Sequence, residues 1–472
     1  MRMYIAGEWR DGGAEDEIRN PWSRELVDTV PRASEEDVEA ALEAAVRGAR
    51  EMRALPAYER AEALVRAAAV LEEDVAGLAR TISGEVGKPL TEATAEASRI
   101  PELFRLAAAE GARMHGETIP VDAHRGAGGK LGFTLRQPCG VVVAIAPFNY
   151  PALLVAHKLA PALAAGNAVI LKPASRTPLT SLRLTEALLA AGLPPDGVQC
   201  ITGSGADVGL RLCADERVRK ISFTGSTAVG RRITEVAGVK RLSLELGANC
   251  PVVVLPDADV EQVAAATVAG GYANAGQVCI SVQRVLVDRG VYGDFLDALR
   301  PRVESLRVGD PFEEGTEVSA LITEREAERV ESVIEDAVAG GASVVAGGTR
   351  DGAVVAPTIV ADVSPDMAIS REELFGPAVA VTPVGDVDEA IALANDSAYG
   401  LGAGVFTSDI RNALRFARDV DCGSIQVNWT PLWRADLMPY GGLKGSGIGK
   451  EGPRYAIEEM TELKTVVFHD LD

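Results

Sequence analysis

Between residues 141 and 225 short, continuous apolar runs alternate with stretches of helix length, and this alternation constrains the fold more than any other feature. VVVAIAP (141–147) and NAVILKP (167–173) read as buried strands. ALLVAHKLAPALAAG between them, and Pro178 to Ala191 after them, read as helices. A strand that is apolar on both faces must be covered on both, and parallel βαβ units do this. The rhythm continues through GVQCITG, ADVGLRLCAD, KISFTG (220–225), a helix starting near Ser226, and the run VVVL in LSLELGANCPVVVLPDAD. A second block, from about 260 to 425, has strands near 284–287, 343–345, 379–382 and 424–427 with helices between. Ahead of both lie a polar, turn-rich start and a helical opening. Ser34 followed by Glu35, Glu36 and Asp37 predicts a capped helix, whose apolar face is Val38, Ala41, Leu42, Ala45, Val46 and Ala49. Ala61 to Ala79 and Glu92 to Arg113 also read as helices. The expected class is α/β, with two Rossmann-like parallel α/β domains. The terminal LKTVVFH reads as a strand without a partner in its own block, which predicts exchange between subunits.

Charge and composition narrow the function. With 47 Lys and Arg against 68 Asp and Glu, the 472 residues carry a net charge of −21. Nucleic acids and anionic membranes demand clustered cations, so neither is an expected partner. The most apolar stretch, Val141 to Leu171, is interrupted by Pro147, Asn149, Pro151, His157, Lys158, Pro161 and Asn167, so it reads as no membrane span. So many polar residues within an apolar region point to a site. The opening MRMYIAGEWR has no basic start, apolar run or small-residue cleavage site, and a cytoplasmic location is expected. Cysteines at 139, 200, 213, 250, 279 and 422 form no C-x-x-C pair, and histidines number only 4, so no catalytic metal is expected.

Two glycine-rich turns follow strands. GSGADVG (203–209) misses the G-x-G-x-x-G spacing by one residue and reads as a loop. FTGSTAVG (223–230) puts Gly225 and Ser226 where a strand becomes a helix, and free N–H groups there suit a pyrophosphate. The latter belongs to an ordered set with APFNYP (146–151), LKPASRTPL (171–179), LELG (244–247), GQVC (276–279), EELFGP (372–377) and MPYGGLKGSGIG (438–449). On this set the chain resembles the aldehyde dehydrogenase superfamily over essentially its whole length, and within it the lactaldehyde and phosphonoacetaldehyde dehydrogenase branch. The resemblance implies the aldehyde dehydrogenase fold. An NAD(P)-binding domain would take residues 1–115 and 136–246, and a catalytic domain 247–425. A small bridging β element, serving oligomerisation, would take 116–135 and 451–472, in a homodimer or homotetramer.

Such a set serves the oxidation of an aldehyde to its acid. A thiolate adding to the carbonyl gives a thiohemiacetal that can expel hydride, and Cys279 is the candidate nucleophile. The oxyanion then needs preorganised donors. The resemblance assigns these to the Asn149 side chain and the Cys279 backbone N–H. It makes Glu245 the general base for the thiol, the hydrolytic water, or both; a carboxylate flanked by leucines is expected to be buried and raised toward neutrality. It further implies that Lys172 bonds the adenosine ribose, that Gly225 and Ser226 form the pyrophosphate turn, and that Glu373 and Phe375 hold the nicotinamide ribose and ring. Many NAD-preferring relatives carry Glu where Ser175 stands, followed here by Arg176. Without that carboxylate a 2′-phosphate meets less repulsion, so the cofactor is expected to be NAD or NADP, with NADP at least tolerated. At the substrate end, Tyr150, Leu154 and His157 are expected to face the pocket, with Arg105 and Arg434 nearby. These suit a small polar or anionic aldehyde: lactaldehyde, glyceraldehyde 3-phosphate, or a phosphonate or sulfonate aldehyde. Rivals are transfer of the acyl group to coenzyme A, a cysteine hydrolase with a His beside Cys279, and a catalytically silent binding protein on the same fold.

Overall fold

The computed structural model describes residues 1–469, so the last three residues of the 451–472 segment lie outside the described residues. The apolar runs become the parallel core of a first sheet: Val141–Ile145, Ala168–Lys172, Val198–Cys200, Val218–Thr224 and Arg241–Glu245. In space the third lies at one side, then the second, first, fourth and fifth. Because the chain winds outward both ways from the first strand, a crevice opens where that strand and the fourth end. The first strand runs directly into APFNYP and the fourth into the Gly225–Ser226 turn. The polar turn expected at the start falls at residues 21–23, within NPWSRE (20–25), and short strands the sequence did not announce flank it. Met3–Ile5 and Glu8–Arg10 extend this sheet antiparallel, and Glu15–Arg19 pairs with Leu26–Pro31. Strands this short leave no readable period.

The helical opening starts as expected, with Ser34 and Asp37 forming a reciprocal capping box on Glu35–Ala54. The single helix expected over 61–79 is two helices, Ala57–Glu73 and Val75–Val86. Asp74 breaks it by accepting a hydrogen bond from the Gly77 N–H at 3.1 Å, a local alternative that competes with the helical ladder. GSGADVG, read as a loop, contains a helical turn, Gly205–Gly209, capped by Ser204.

The second sheet holds six parallel strands with Ser343–Ala346 antiparallel at one edge. From that edge they run Thr358–Ala361, Ala378–Val384, Val282–Asp288, Cys250–Val254, Gly402–Phe406 and Ser424–Val427. The chain leaves the first sheet at Glu245 and enters the second at Cys250. The carboxyl ends of the first sheet therefore face the amino ends of the second, and loops from both meet between them. A third, small sheet pairs Thr461–Phe468 with Leu131–Pro138 over all eight residues, with Thr118–Ile119 on the other side. The terminal strand thus has a partner in its own chain, too distant in sequence for local patterning to reveal. Among the described residues no helix is long and apolar enough to cross a membrane.

Candidate active site

Cys279 lies just before Val282–Asp288, on a sharply bent loop. Asn274, Ala275 and Gly276 have φ of 48°, 53° and 71°. At Gly276 a Cβ would run into the Gly376 carbonyl, so the glycine of GQVC is required by close backbone approach. Glu92, on the helix Leu90–Ala112, holds the loop by accepting from the Asn274 N–H at 2.9 Å. The thiol opens on a cavity of about 320 Å³ whose wall includes Asn149, Tyr150, Leu154, Trp433, Arg434 and Tyr440. Its sulfur is 2.9 Å from the Tyr440 hydroxyl. Burial, with the Glu373 and Glu245 charges adding, pushes the thiol up to about 12 against the opposing Tyr440 bond and Arg434. The resting group is a thiol, and its reaction needs a base.

Asn149 donates one amide proton to the Gln277 carbonyl at 2.9 Å, which fixes the plane of its amide at the cavity wall. Tyr150 is seated from below: the Lys88 ammonium lies 3.5 Å from its ring centroid. Lys88 pairs with Glu96 at 2.5 Å, and the other Glu96 oxygen accepts from the N–H groups of Ala152 and Leu153 at 3.0 Å. This buried carboxylate thereby compensates the start of Leu153–Ala165, the helix that follows the oxyanion candidate. Glu245 ends the fifth strand of the first sheet, buried, with neither carboxylate oxygen hydrogen-bonded. Burial raises it well above the ordinary carboxylate range; the Glu451 charge adds, and Lys158, Arg434 and Lys450 oppose. A Cβ on Gly441 would lie 2.6 Å from its Oε1, so MPYGG leaves room for this carboxylate.

The substrate end departs from expectation at two of five residues. Tyr150 and Leu154 line the cavity, one turn apart, but His157 lies behind the wall, with 1% of its surface exposed. Three residues is short of a full turn, and the ring rotates away from Leu154 toward the loop at 434–436. Its Nε2 is 3.1 Å from Asp436 and its Nδ1 3.4 Å from Arg434. Burial and the Arg434 charge lower it to about 4. Arg434 does line the cavity, with its guanidinium 3.9 Å from the Tyr440 ring centroid, one nitrogen on Glu451 at 3.2 Å, and Nε without a partner. Arg105 does not: it pairs with Glu72 on the outer side of its helix. Arg99, six residues earlier on that helix, reaches the cavity and pairs with Asp436 at 2.6 Å. Tyr440, Glu451, Lys158 and Arg99 were missed as site residues. Tyr440 sits inside MPYGG, and Lys158 among the polar residues of the apolar stretch, but nothing local distinguishes Arg99 or Glu451. Among the described residues no histidine lines the cavity, as a cysteine hydrolase would need.

The sequence matches the aldehyde dehydrogenase family over residues 9–466. The chain belongs to that family. It is 43% identical over 467 residues to the 3-sulfolactaldehyde dehydrogenase of Priestia aryabhattai, spanning 99% of this chain and 98% of that one. It is 38% identical to the lactaldehyde dehydrogenase of Methanococcus aeolicus, spanning 98% and 99%. Among solved structures, the glyceraldehyde-3-phosphate dehydrogenase of Methanocaldococcus jannaschii complexed with NADP matches with a TM-score of 0.93 at 38% identity, over 97% and 99% of the two chains. The family, the α/β fold and the lactaldehyde branch implied by the motifs are met. This aldehyde dehydrogenase is an enzyme that uses NAD or NADP.

The groups at the crevice of the aldehyde dehydrogenase fit such a nucleotide. Lys172 ends the second strand, buried; its ammonium donates to the Pro173 carbonyl at 2.7 Å and keeps further protons, and burial lowers it to about 8. Ser175 is exposed and donates to the Gly203 carbonyl at 2.9 Å. The expected free N–H of Gly225 is taken: it donates to the Glu245 carbonyl at 3.0 Å. What requires glycine there is the Phe223 ring, 2.6 Å from where a Cβ would lie. Ser226 caps the helix Thr227–Ala237, whose Thr227 and Ala228 N–H groups have no intrahelical partner. From the second sheet, the Glu373 carboxylate accepts from the Ala248 N–H at 3.0 Å, and burial pushes it up to about 7. The Phe375 ring stands edge-on to Phe148, 5.8 Å between centroids. A buried ammonium, a hydroxyl and a helix start on one side, with a carboxylate and an aromatic ring opposite, supply donors for phosphate and ribose and a surface for a planar ring.

Proposed function

We propose that this aldehyde dehydrogenase oxidises a short anionic aldehyde to its carboxylic acid through covalent chemistry on Cys279. The observation that carries the substrate class is Arg434: it lines the cavity that holds the thiol, yet its buried Nε has no acceptor. That nitrogen is closed off from the cavity, so what an anionic substrate would meet at the wall is the rest of the Arg434 guanidinium, as a cation. Around it the cations Arg99, Lys158 and Arg434 match the carboxylates Asp436, Glu451 and Glu245, so the site is not acidic although the chain is strongly so. The relatives named for sulfolactaldehyde and glyceraldehyde 3-phosphate support the same class, and the one named for lactaldehyde supports a short hydroxyaldehyde.

The Cys279 thiol gives its proton to Glu245, and the sulfur attacks the carbonyl carbon to form a thiohemiacetal. Asn149 and the Cys279 backbone N–H donate to the oxyanion. A nicotinamide nucleotide, when bound, supplies the two-electron oxidant. The carbon gives up a hydride to form the thioester, and Glu245 releases the thiol's proton to solvent. Water then adds to the thioester as Glu245 takes its proton; the carbon–sulfur bond breaks with the sulfur leaving as thiolate, and the acid departs. When a nucleotide is bound, Lys172 and Glu373 would hold its two riboses, the Ser226-capped helix start its pyrophosphate, and Phe375 its nicotinamide ring. Ser175, with Arg176 exposed beside it, leaves space for a 2′-phosphate.

A panel of aldehydes with each nucleotide, followed by absorbance of the reduced nicotinamide and repeated with Cys279→Ser, tests this. Turnover of short hydroxyaldehydes bearing a sulfonate or phosphate to the free acid, lost in the variant, is expected. Equal kcat/KM for neutral aldehydes of the same length, or acyl-coenzyme A as product, overturns it. A kcat/KM for NADP more than about a thousandfold below that for NAD, roughly 4 kcal/mol, overturns the nucleotide reading. The outer edge of Thr461–Phe468, with Leu463 and Phe468 exposed, suits a second copy of the chain in a homodimer or homotetramer. A monomeric mass by light scattering overturns that assignment.

A further inference from the structure

We propose that Tyr440 is a catalytic residue whose hydroxyl donates to the Cys279 thiolate and so sets how readily the nucleophile forms. This role rests on Cys279 acting as the nucleophile proposed above. The Tyr440 hydroxyl, 2.9 Å from the sulfur, is the one side-chain group that hydrogen-bonds it among the described residues. While Cys279 is a thiol, either atom can donate. Once its proton has passed to Glu245 the sulfur can only accept, and the phenol must donate. A hydrogen bond to an ionised acceptor is about twice as strong as a neutral one, so the contact favours the reacting form over the resting form. The proton stays on the Tyr440 oxygen throughout. Burial and the neighbouring Cys279 charge hold this phenol well above its ordinary range, so it serves as a fixed donor and leaves the base role to Glu245.

The surroundings hold the hydroxyl in that job. The Tyr440 N–H donates to the Glu451 carbonyl at 3.1 Å, and the Glu451 N–H returns a bond to the Tyr440 carbonyl at 2.7 Å. The ring is capped by the Arg434 guanidinium 3.9 Å from its centroid; a cation on a ring face withdraws electron density and makes the phenol a better donor. The next residue, Gly441, provides the clearance for Glu245. One short segment thus sets the donor to the sulfur beside the base that takes its proton. Glu245 and Glu373 both oppose a charged sulfur, and Tyr440 counters them at contact distance.

Tyr440→Phe removes only the hydroxyl. Iodoacetamide alkylation of Cys279 in the full chain without nucleotide, followed by intact mass across a range of pH, reads the thiol without turnover. The rate–pH profile is expected to move up by about one unit, lowering the neutral-pH rate about tenfold. The melting temperature and the binding of reduced nucleotide stay as in the wild type. Tyr440→3-fluorotyrosine, a stronger donor of nearly the same shape, is expected to move the profile the other way, and tests the role even where the Phe variant folds poorly. Profiles unchanged in both variants overturn the role of Tyr440 and leave the nucleophile reading standing. Turnover persisting in Cys279→Ala overturns the nucleophile reading itself.

Discussion

Glu245 and Glu451 flank one buried cluster, each with 4% of its surface exposed, and end in opposite states. Burial raises both. Glu451 has Lys158 and Arg434 at 3.2 Å, and these with His157 outweigh burial and hold it down at about 2. Glu245 has no hydrogen-bond partner on either oxygen, and the Glu451 charge raises it further. Equal burial therefore decides nothing by itself; partners do. The paired carboxylate stays ionised and organises the cations behind the cavity. The unpaired one, raised by burial, is free to exchange a proton with a group in the cavity, as the proposed base role requires.

The largest effect should follow from removing the unpaired group. Glu245→Gln is expected to lower kcat by about 10²–10⁴-fold, the usual range for a positioned base, with thioester hydrolysis affected at least as much as acylation in single-turnover experiments. Its stability should tell the opposite story. A carboxyl raised in the folded state favours folding fully at low pH and loses that contribution as pH rises through the raised value. Measured against its own value at acidic pH, the variant should gain on the wild type as pH rises above about 4.5 and level off once pH passes the raised value, read as melting temperature against pH. A melting temperature well below the wild type at neutral pH would mean that Glu245 is a structural ion after all.

Glu451→Gln should reverse the pattern. It leaves Lys158 and Arg434 buried without a counter-charge, at a cost of about 3–5 kcal/mol in denaturation at neutral pH. A carboxyl lowered in the folded state contributes stability above its unfolded pKa, near 4.5, and loses it as pH falls toward 2. The gap between variant and wild type should therefore close on acidification. With the Glu451 charge gone, the rising limb of the Glu245-dependent rate should also move to lower pH.

That contrast was only half legible in the sequence. Cys279, Glu245 and Asn149 stand in short motifs on which local backbone and close packing act, and the parallel strands declare themselves by apolar runs. What local patterning hides is contact over long separations. Glu451 meets Lys158 from 293 residues away, and Tyr440 meets Cys279 from 161. The helix carrying Arg99 and Arg105 shows the limit well. Its buried stripe, Ala93, Ala97, Ile100, Phe104 and Ala108, identifies the core face. It does not say which polar margin meets a cavity built by residues 429–440, and the arginine expected there was the wrong one. The terminal strand failed for the same reason, its partner being Leu131–Pro138.

The smallest expected effect tests whether the paired side of the cluster also touches substrate. Arg434→Lys keeps a cation for Glu451 but removes the guanidinium fork and its planar stack on Tyr440, neither of which an ammonium reproduces. If Arg434 both steadies Glu451 and binds the anionic end of the aldehyde, KM for a short sulfonate- or phosphate-bearing aldehyde should rise about tenfold, in line with one hydrogen bond to a charged group. KM for a neutral aldehyde of equal length should change little, and the melting temperature should fall far less than in Glu451→Gln. Equal losses for both substrates would place Arg434 wholly with the structural ions. The anionic specificity would then fall to Arg99, whose guanidinium shares Asp436 with His157 and lines the same cavity.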